Sequence, residues 1–501
     1  MENDDCYKLC DSKKEISEDY ETSEASEDCP LTPNKKCRYK KCIWKYRVAG
    51  CILTFITIII VIFLIYLLSK ALFKKSHNIN DDDDGPHGAV AADNEICSKI
   101  GVEKIQQGGN AIDAAVASMI CMCVVAPEKS GFGGGGIAMV YRRNGDNPLV
   151  IDFATNTITG FFETAKIRIP SVLRGLEYLH SMKGKLPWSS VVKPGANLAK
   201  NNFHFTENVN EKHGKLNKRL INNHDLNMKS LGETLDSISQ HGTNILYNGT
   251  LSKKLLHDKK CPHLLNQLAS YMPKKISSKK INFYDYSIFS PEHSTIFQST
   301  LMDTSKLSKN KVDTIAKITV NLIDNLAYKN GNSCIEKEIY TSVVAADSDG
   351  NFVSIITGMS VAPGLEHMSG VGFHLDTIKT HNNLKLLTPI IFTKEKTTTG
   401  VLGVDDPILA TEILTNMIIE KLNLSSSIEH QRYYRTSKGI KLEPQTTNQQ
   451  LNYPKNIKTL IEIYTSIDKN IYKSVNGIVQ HHQSLTSHSD SRGGGIAYRF
   501  K

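Results

Sequence analysis

Apolar positions at helical spacing open the patterned part of the chain. Ile96, Ile100 and Ile105 fall on one face of a segment from Ala91 to Gln107. Gly108 and Gly109 end it, since glycine takes backbone angles that residues with a Cβ resist. Asn110 suits an N-cap for Ala111 to Val125, which is small and apolar almost all round and therefore reads as a buried helix. The glycine loop Gly131 to Gly136 leads into Ile137 to Tyr141, an apolar, partly β-branched strand. Further strands are expected at Thr341 to Ala346, Phe352 to Ile356, Pro389 to Thr393 and Gly494 to Phe500. Helices are expected at Ile408 to Leu422 and Ile457 to Asn470. Asp349-Gly350-Asn351, set between two apolar runs, predicts a hairpin turn.

One apolar run has a different period. Val48 to Ser69 carries no charge and is long enough to cross a hydrocarbon core of about 30 Å. It is too long and starts too late for a cleaved signal peptide. Lys35, Lys36, Arg38, Lys40, Lys41, Lys45 and Arg47 precede it, against Lys70, Lys74 and Lys75 after it. The heavier basic side stays in the cytosol, so a type II topology is expected, at the plasma membrane or an endomembrane. Residues 1–47 then form a disordered acidic, serine-rich cytosolic tail ending in the basic cluster. Cys37 and Cys42 sit in a palmitoylation context or are simple free thiols. Residues 48–69 are the signal-anchor, and 70–87 a stalk whose Asp81 to Asp84 run lacks the alternation of a calcium loop. Residues 88–501 form the extracellular or lumenal domain.

Composition agrees with a large globular domain behind an anchor: 501 residues, 40% hydrophobic and 22% charged. The net charge of +9 comes without zinc-finger spacing, an RNA-binding signature or a basic helix interleaved with aromatics, so no nucleic-acid partner is expected. No metal site and no cofactor is expected. Cys97, Cys121, Cys123, Cys261 and Cys334 make an odd count beyond the anchor, leaving at least one outside intramolecular pairs. Cys121 and Cys123 read as core residues of a buried helix. The sequons at Asn248 and Asn423 suit a lumenal domain.

GGNAIDAAVA followed by VVAPEKSGFGGGG resembles the opening of gamma-glutamyltransferases, also called glutathione hydrolases. Pro170-Ser171-Val172 with Arg174-Gly175 is similar to that family's PG…GL segment. Gly184 to Trp188, then Pro194, Ala196 and Leu198-Ala199, is similar to its GRLPW…PA.xLA run. Asp490-Ser491-Arg492 before Gly493 to Gly495 resembles its C-terminal DxR…G entry. The matches keep chain order from about residue 87 to 501, eroding between about 255 and 340. The glutathione hydrolase 7-like branch, type II membrane proteins with a long cytosolic tail, is the part of the family it resembles most. The resemblance implies an α+β fold of the N-terminal nucleophile hydrolase type, a four-layer αββα sandwich, here preceded by one transmembrane helix.

The resemblance also implies a chemistry. In active members a threonine, freed by self-cleavage, attacks the γ-glutamyl carbonyl with its own amine as base. The motif T-x-H-x-S-V-V-x-x-D-G-N, counted back without gaps from Asp349-Gly350, puts Tyr340 at the nucleophile position; Thr341 is one residue off. Thr341 is the candidate nucleophile if the protein is active, and 340/341–501 would then be the small subunit. An ordinary strand threonine is the alternative. The arginine that grips the substrate carboxylate falls on Ala154, and the downstream threonine and asparagine fall on Gly358-Met359-Ser360, leaving Ser360 as a weak candidate. Of the acids that hold the substrate amine only Asp376 survives. The serine pair falls on Lys385-Leu386, and the two oxyanion-hole glycines on Asp406 and Pro407. A proline has no N–H to donate, and a carboxylate repels developing negative charge.

Scaffold glycines are thus kept while site side chains are gone. The expectation is a membrane-anchored family member whose γ-glutamyl transfer is lost or much reduced and which works by binding, with glutathione or γ-glutamyl compounds as the ancestral ligands. The alternatives are an active glutathione hydrolase using Thr341, or a non-catalytic protein partner of an active paralogue.

Overall fold

The computed structural model describes residues 57–61 and 63, and most of residues 88–500; it leaves undescribed residues 128, 144–146, 155–156, 163–164, 202–223, 256–261, 306–338, 360–369, 377–386, 396, 437–438, 444–460 and 464–473. The chain divides into two compact units, residues 1–83 and 84–501. In the first, residues 57–61 and 63 are helical and their large apolar side chains are exposed. The rest of the expected Val48–Ser69 span lies outside the described residues, as do Cys37, Cys42, Asp81–Asp84, Cys261 and Cys334. Among the described residues no helix is long and apolar enough to cross a membrane.

The second unit begins with β1 (Gly88–Ala92), then α1 (Glu95–Gln106) and α2 (Ala111–Val125). The expectation of a helix from Ala91 is corrected here. Ala91 and Ala92 belong to a strand paired on both sides, which its small residues permit. Asn94 is the true N-cap, its side chain accepting from the Ile96 amide at 2.9 Å. At the turn, Gly108 alone of the glycine pair takes a positive φ, 87°. Gly109 is needed for another reason: a Cβ there would stand 2.6 Å from the Lys104 carbonyl oxygen. Asn110 caps α2 as expected, in a reciprocal capping box with Asp113.

The chain continues through β2 (Gly135–Tyr141), β3 (Leu149–Asp152), β4 (Thr157–Phe162) and β5 (Ala165–Arg168). Six helices follow: α3 (Val172–Lys183), α4 (Trp188–Lys200), α5 (His224–His241), α6 (Asn244–Asn248), α7 (Thr250–Leu255) and α8 (Pro262–Ser270). Next come β6 (Lys274–Ile276), β7 (Ser278–Phe283), β8 (Tyr286–Pro291) and α9 (Thr295–Ser305). Within the stretch where the family resemblance erodes, the described residues 262–305 form regular elements. The last part holds β9 (Ile339–Asp347), β10 (Phe352–Met359), β11 (Thr388–Lys394), β12 (Thr398–Val404), α10 (Pro407–Ile418) and α11 (Leu424–Ile428). It ends with β13 (Tyr433–Thr436), β14 (Gly439–Leu442), β15 (Ile461–Ile463), β16 (Asn476–His481), β17 (Ser484–Ser489) and β18 (Ile496–Phe500). The helix expected over Ile457–Asn470 is overturned where it is described: Ile461–Ile463 pairs in parallel with β14 as a strand. A short Ile-Glu-Ile run suits either period, and tertiary pairing decided it.

Two antiparallel sheets carry the fold. The first has the order β18-β1-β9-β10-β2-β3-β6, the second β17-β16-β12-β11-β8-β7. β9 and β10 pack on β12 and β11, so the sheets lie face to face, with Val344, Ile356, Ile391 and Val401 in the core between them. A second core, around the wholly buried α2, fills the space between the first sheet and α1 to α8. A third lies between the second sheet and α9, α10 and α11. Cys121 of α2 is bonded to Cys97 of α1, tying the buried helical pair together. Cys123 is a buried thiol beside the Ser130 hydroxyl, and burial pushes it up to about 12.

Candidate active site

The glycine loop is the meeting point of the expected site positions. A Cβ on Gly133 would run into the His374 carbonyl, and one on Gly134 into the Gly358 carbonyl. At Gly135 it would stand 3.0 Å from Cα of Ala154. Only backbone without side chains lets three segments close in this tightly. The loop thereby gathers Ala154 at the end of β3, Gly358–Met359 at the end of β10, and the 374–376 segment. A bridge between Gly133 and Leu375 seals the last of these.

β9, which carries Tyr340 and Thr341, reaches the same corner through β10. Its ladder with β10 runs without a register shift from Ile339↔Met359 to Ala346↔Phe352 and closes at the Asp349-Gly350-Asn351 hairpin, where Gly350 takes φ 77°. Tyr340 stands opposite Gly358, is 6% exposed and packs in the core between the sheets. Thr341 stands opposite Thr357 and shares the parity of Val343 and Ala345, which face the helices. The ladder has no bulge between Thr341 and Ala346, so Tyr340 and Thr341 face opposite sides of the sheet.

Thr341 is engaged in a different cluster. Its hydroxyl donates to Asp93 Oδ2 at 2.7 Å, with both residues buried. Asp93 follows β1 directly and also accepts from the Ser474 hydroxyl and, at 2.8 Å, from Asn476 Nδ2. Asn476 in turn donates to the Ser342 carbonyl at 2.9 Å, and the Ser342 hydroxyl to the Gly403 carbonyl at 3.0 Å. Asp93 therefore joins β9 of the first sheet to the start of β16 in the second. Sequence reading missed Asp93, because one acid after an alanine-rich run carries no signal of its own.

Ala154 has no polar side chain, yet a guanidinium lies beside it. Arg168 donates from Nη1 to the Ala154 carbonyl at 3.0 Å and pairs through Nε with Asp376 Oδ2 at 3.0 Å. Its amide also donates to the Asp376 carbonyl at 2.8 Å. Arg168 and Asp376 are both almost fully buried. The surviving acid thus already has a cationic partner, which sequence spacing did not indicate.

The comparisons with known proteins bear on this arrangement. The family model for gamma-glutamyltranspeptidase matches residues 97–302, and so ends before β9. The glutathione hydrolase of Aspergillus flavus is 37% identical over 161 residues, 31% of this chain and 25% of its own length. Human glutathione hydrolase 7 is 33% identical over 133 residues, 24% of this chain and 20% of its own. Residues 97–302 form a gamma-glutamyltranspeptidase family domain. The chain's aligned stretches span between a fifth and about two-fifths of the length of such curated relatives. The cephalosporin acylase of Bacillus halodurans superposes with a TM-score of 0.66 at 17% identity, covering 83% of this chain and 96% of that one. That likeness is one of fold, the mixed α/β N-terminal nucleophile hydrolase type.

Against the motifs of the gamma-glutamyltranspeptidase family, the structure brings together Tyr340, Ala154 and Asp376 around the glycine loop. Asp406 and Pro407 stand at the start of α10. Asp406 is the N-cap, and its Oδ1 accepts from the Ile408 amide at 2.8 Å and the Leu409 amide at 3.2 Å. Amides at a helix start are natural oxyanion donors, but these two are occupied by the chain's own carboxylate. Ser360, Lys385 and Leu386 lie outside the described residues. Asn248 and Asn423 are both exposed; the Asn423 side chain also caps α11, accepting from the Ser426 amide at 2.8 Å. Among the described residues no group of three or more metal-ligating side chains converges.

Proposed function

We propose that this gamma-glutamyltranspeptidase family member has lost γ-glutamyl transfer, or retains very little, and acts by binding. The observation that carries the reading is the continuous β9–β10 ladder, in which Tyr340, the residue that counting back from Asp349-Gly350 puts at the motif's nucleophile position, is buried. Asp406 and Pro407 support it, since removing one oxyanion donor costs roughly 3 to 4 kcal/mol of transition-state stabilisation. Ala154 supports it too, in the place of a carboxylate-gripping arginine.

The setting follows the same reading: a type II protein anchored through Val48–Ser69, with the folded unit outside the cytosol. The Cys97–Cys121 bond and the exposed Asn248 and Asn423 sequons favour an oxidising, glycosylating compartment. Its ligands would be glutathione or related γ-glutamyl compounds, retained from the ancestral reaction, or a protein partner.

One contact favours a second reading, an active hydrolase using Thr341. A carboxylate accepting a hydroxyl proton, as Asp93 does from Thr341, is also how a nucleophile is activated. Release of aniline from a γ-glutamyl anilide by the purified full chain separates the two. The first reading expects no release above buffer. Turnover that disappears in Thr341→Ala would establish the second.

A further inference from the structure

We propose that the paired edge of the two sheets is a docking strip for a sulfated polysaccharide. Residues 274–283 run from β6, the last strand of the first sheet, through Ser277 into β7, the last strand of the second. A single ten-residue segment therefore forms the corresponding open edge of both sheets.

That segment carries Lys274, Lys275, Lys279 and Lys280, all exposed, while Ile281 and Phe283 turn into the core. Successive strand residues point to opposite faces, so each lysine pair projects one ammonium to either side of the edge. The Lys280 ammonium stands 6.0 Å above the Phe289 ring rather than beside an acid. Among the described residues none of the four lysines makes an ion pair.

The two pairs lie on the edge strands of two sheets that pack about 10 Å apart, with at most about 17 Å of chain between them. A single small anion cannot bridge that distance, whereas a linear polyanion lying along the edge can meet both pairs. The ligand is taken to be a glycan rather than a nucleic acid for two reasons. The Cys97–Cys121 bond suits the extracytosolic setting proposed above, on which this choice rests. Tyr284, just past this segment, is the one exposed large aromatic beside it among the described residues, too little for a stacking platform.

Lysine on an edge strand also has a plainer role, blocking strand addition by another chain. Charge reversal separates the two roles, since glutamate guards an edge as well as lysine does. The experiment measures retention of the full chain on immobilised heparin across a salt series. The wild type is compared with a Lys274→Glu, Lys275→Glu, Lys279→Glu, Lys280→Glu variant and with the fourfold Lys→Arg variant, and single-stranded DNA serves as a second polyanion. Heparin binding at least tenfold weaker in the Glu variant, unchanged in the Arg variant, with a flatter salt dependence, is the expected result. Equal retention of wild type and Glu variant, or DNA bound as tightly as heparin, would overturn the proposal.

Discussion

The Thr341 hydroxyl lies 2.7 Å from Asp93 Oδ2, and this contact fastens β9 to the end of β1 deep inside the fold. Asp93 takes further donors from Ser474 and Asn476, so one carboxylate gathers side chains from both sheets. Thr341→Val keeps the shape of the side chain but removes one of these donors. The expected cost is about 1 to 3 kcal/mol, read as a lower denaturation midpoint with unchanged steepness. Thr341→Ser should stay close to wild type.

Arg168 and Asp376 form a buried pair beside Ala154. Arg168→Met leaves Asp376 charged and uncompensated, and should destabilise by about 3 to 5 kcal/mol. Combining Arg168→Met with Asp376→Leu should recover much of that loss, giving a large coupling energy in a double-mutant cycle. Additive effects would mean that the two side chains do not act as a pair.

The Cys97–Cys121 bond closes a loop across a sequence separation of 24. Replacing both residues by serine should lower stability by roughly 3 kcal/mol. Cys123 has a thiol held in its protonated form by burial, at about 12. Native protein at neutral pH should therefore resist alkylation there, and unfolded protein should react fully, as peptide mapping after iodoacetamide would record.

Acid stability should depend on Glu429. Burial alone would push its carboxyl up. Hydrogen bonds from His488 and from the Ser491 hydroxyl and amide, with the Arg492 charge nearby, hold it instead at about 2. A carboxylate with a depressed folded-state value stabilises above its unfolded value and loses that contribution as pH falls through the folded one. Stability should thus fall between about pH 4.5 and 2, and Glu429→Gln should flatten that part of the denaturation profile.

Much of this architecture is legible in residue patterns. The all-apolar Ala111–Val125 stretch, its Asn110 cap and the strands at Phe352 and Pro389 declare themselves by period and by capping chemistry. β1 does not. Gly88 to Ala92 is too small and too short to show a strand pattern, and only its place between β18 and β9 defines it. Likewise the glycine loop is obvious in sequence, but the carbonyls it packs against come from residues far along the chain. The candidate positions Tyr340, Ala154 and Asp406 come from counting along the family's motifs. Their neighbours Asp93 and Arg168 come from elsewhere in the chain through tertiary pairing, which spacing cannot show.

The most direct test of the central claim is the mass of the mature chain, taken by denaturing gel and intact mass spectrometry on purified full-length protein. A tyrosine in the nucleophile register predicts one uncut polypeptide. Two fragments, the smaller beginning at Thr341, would contradict it.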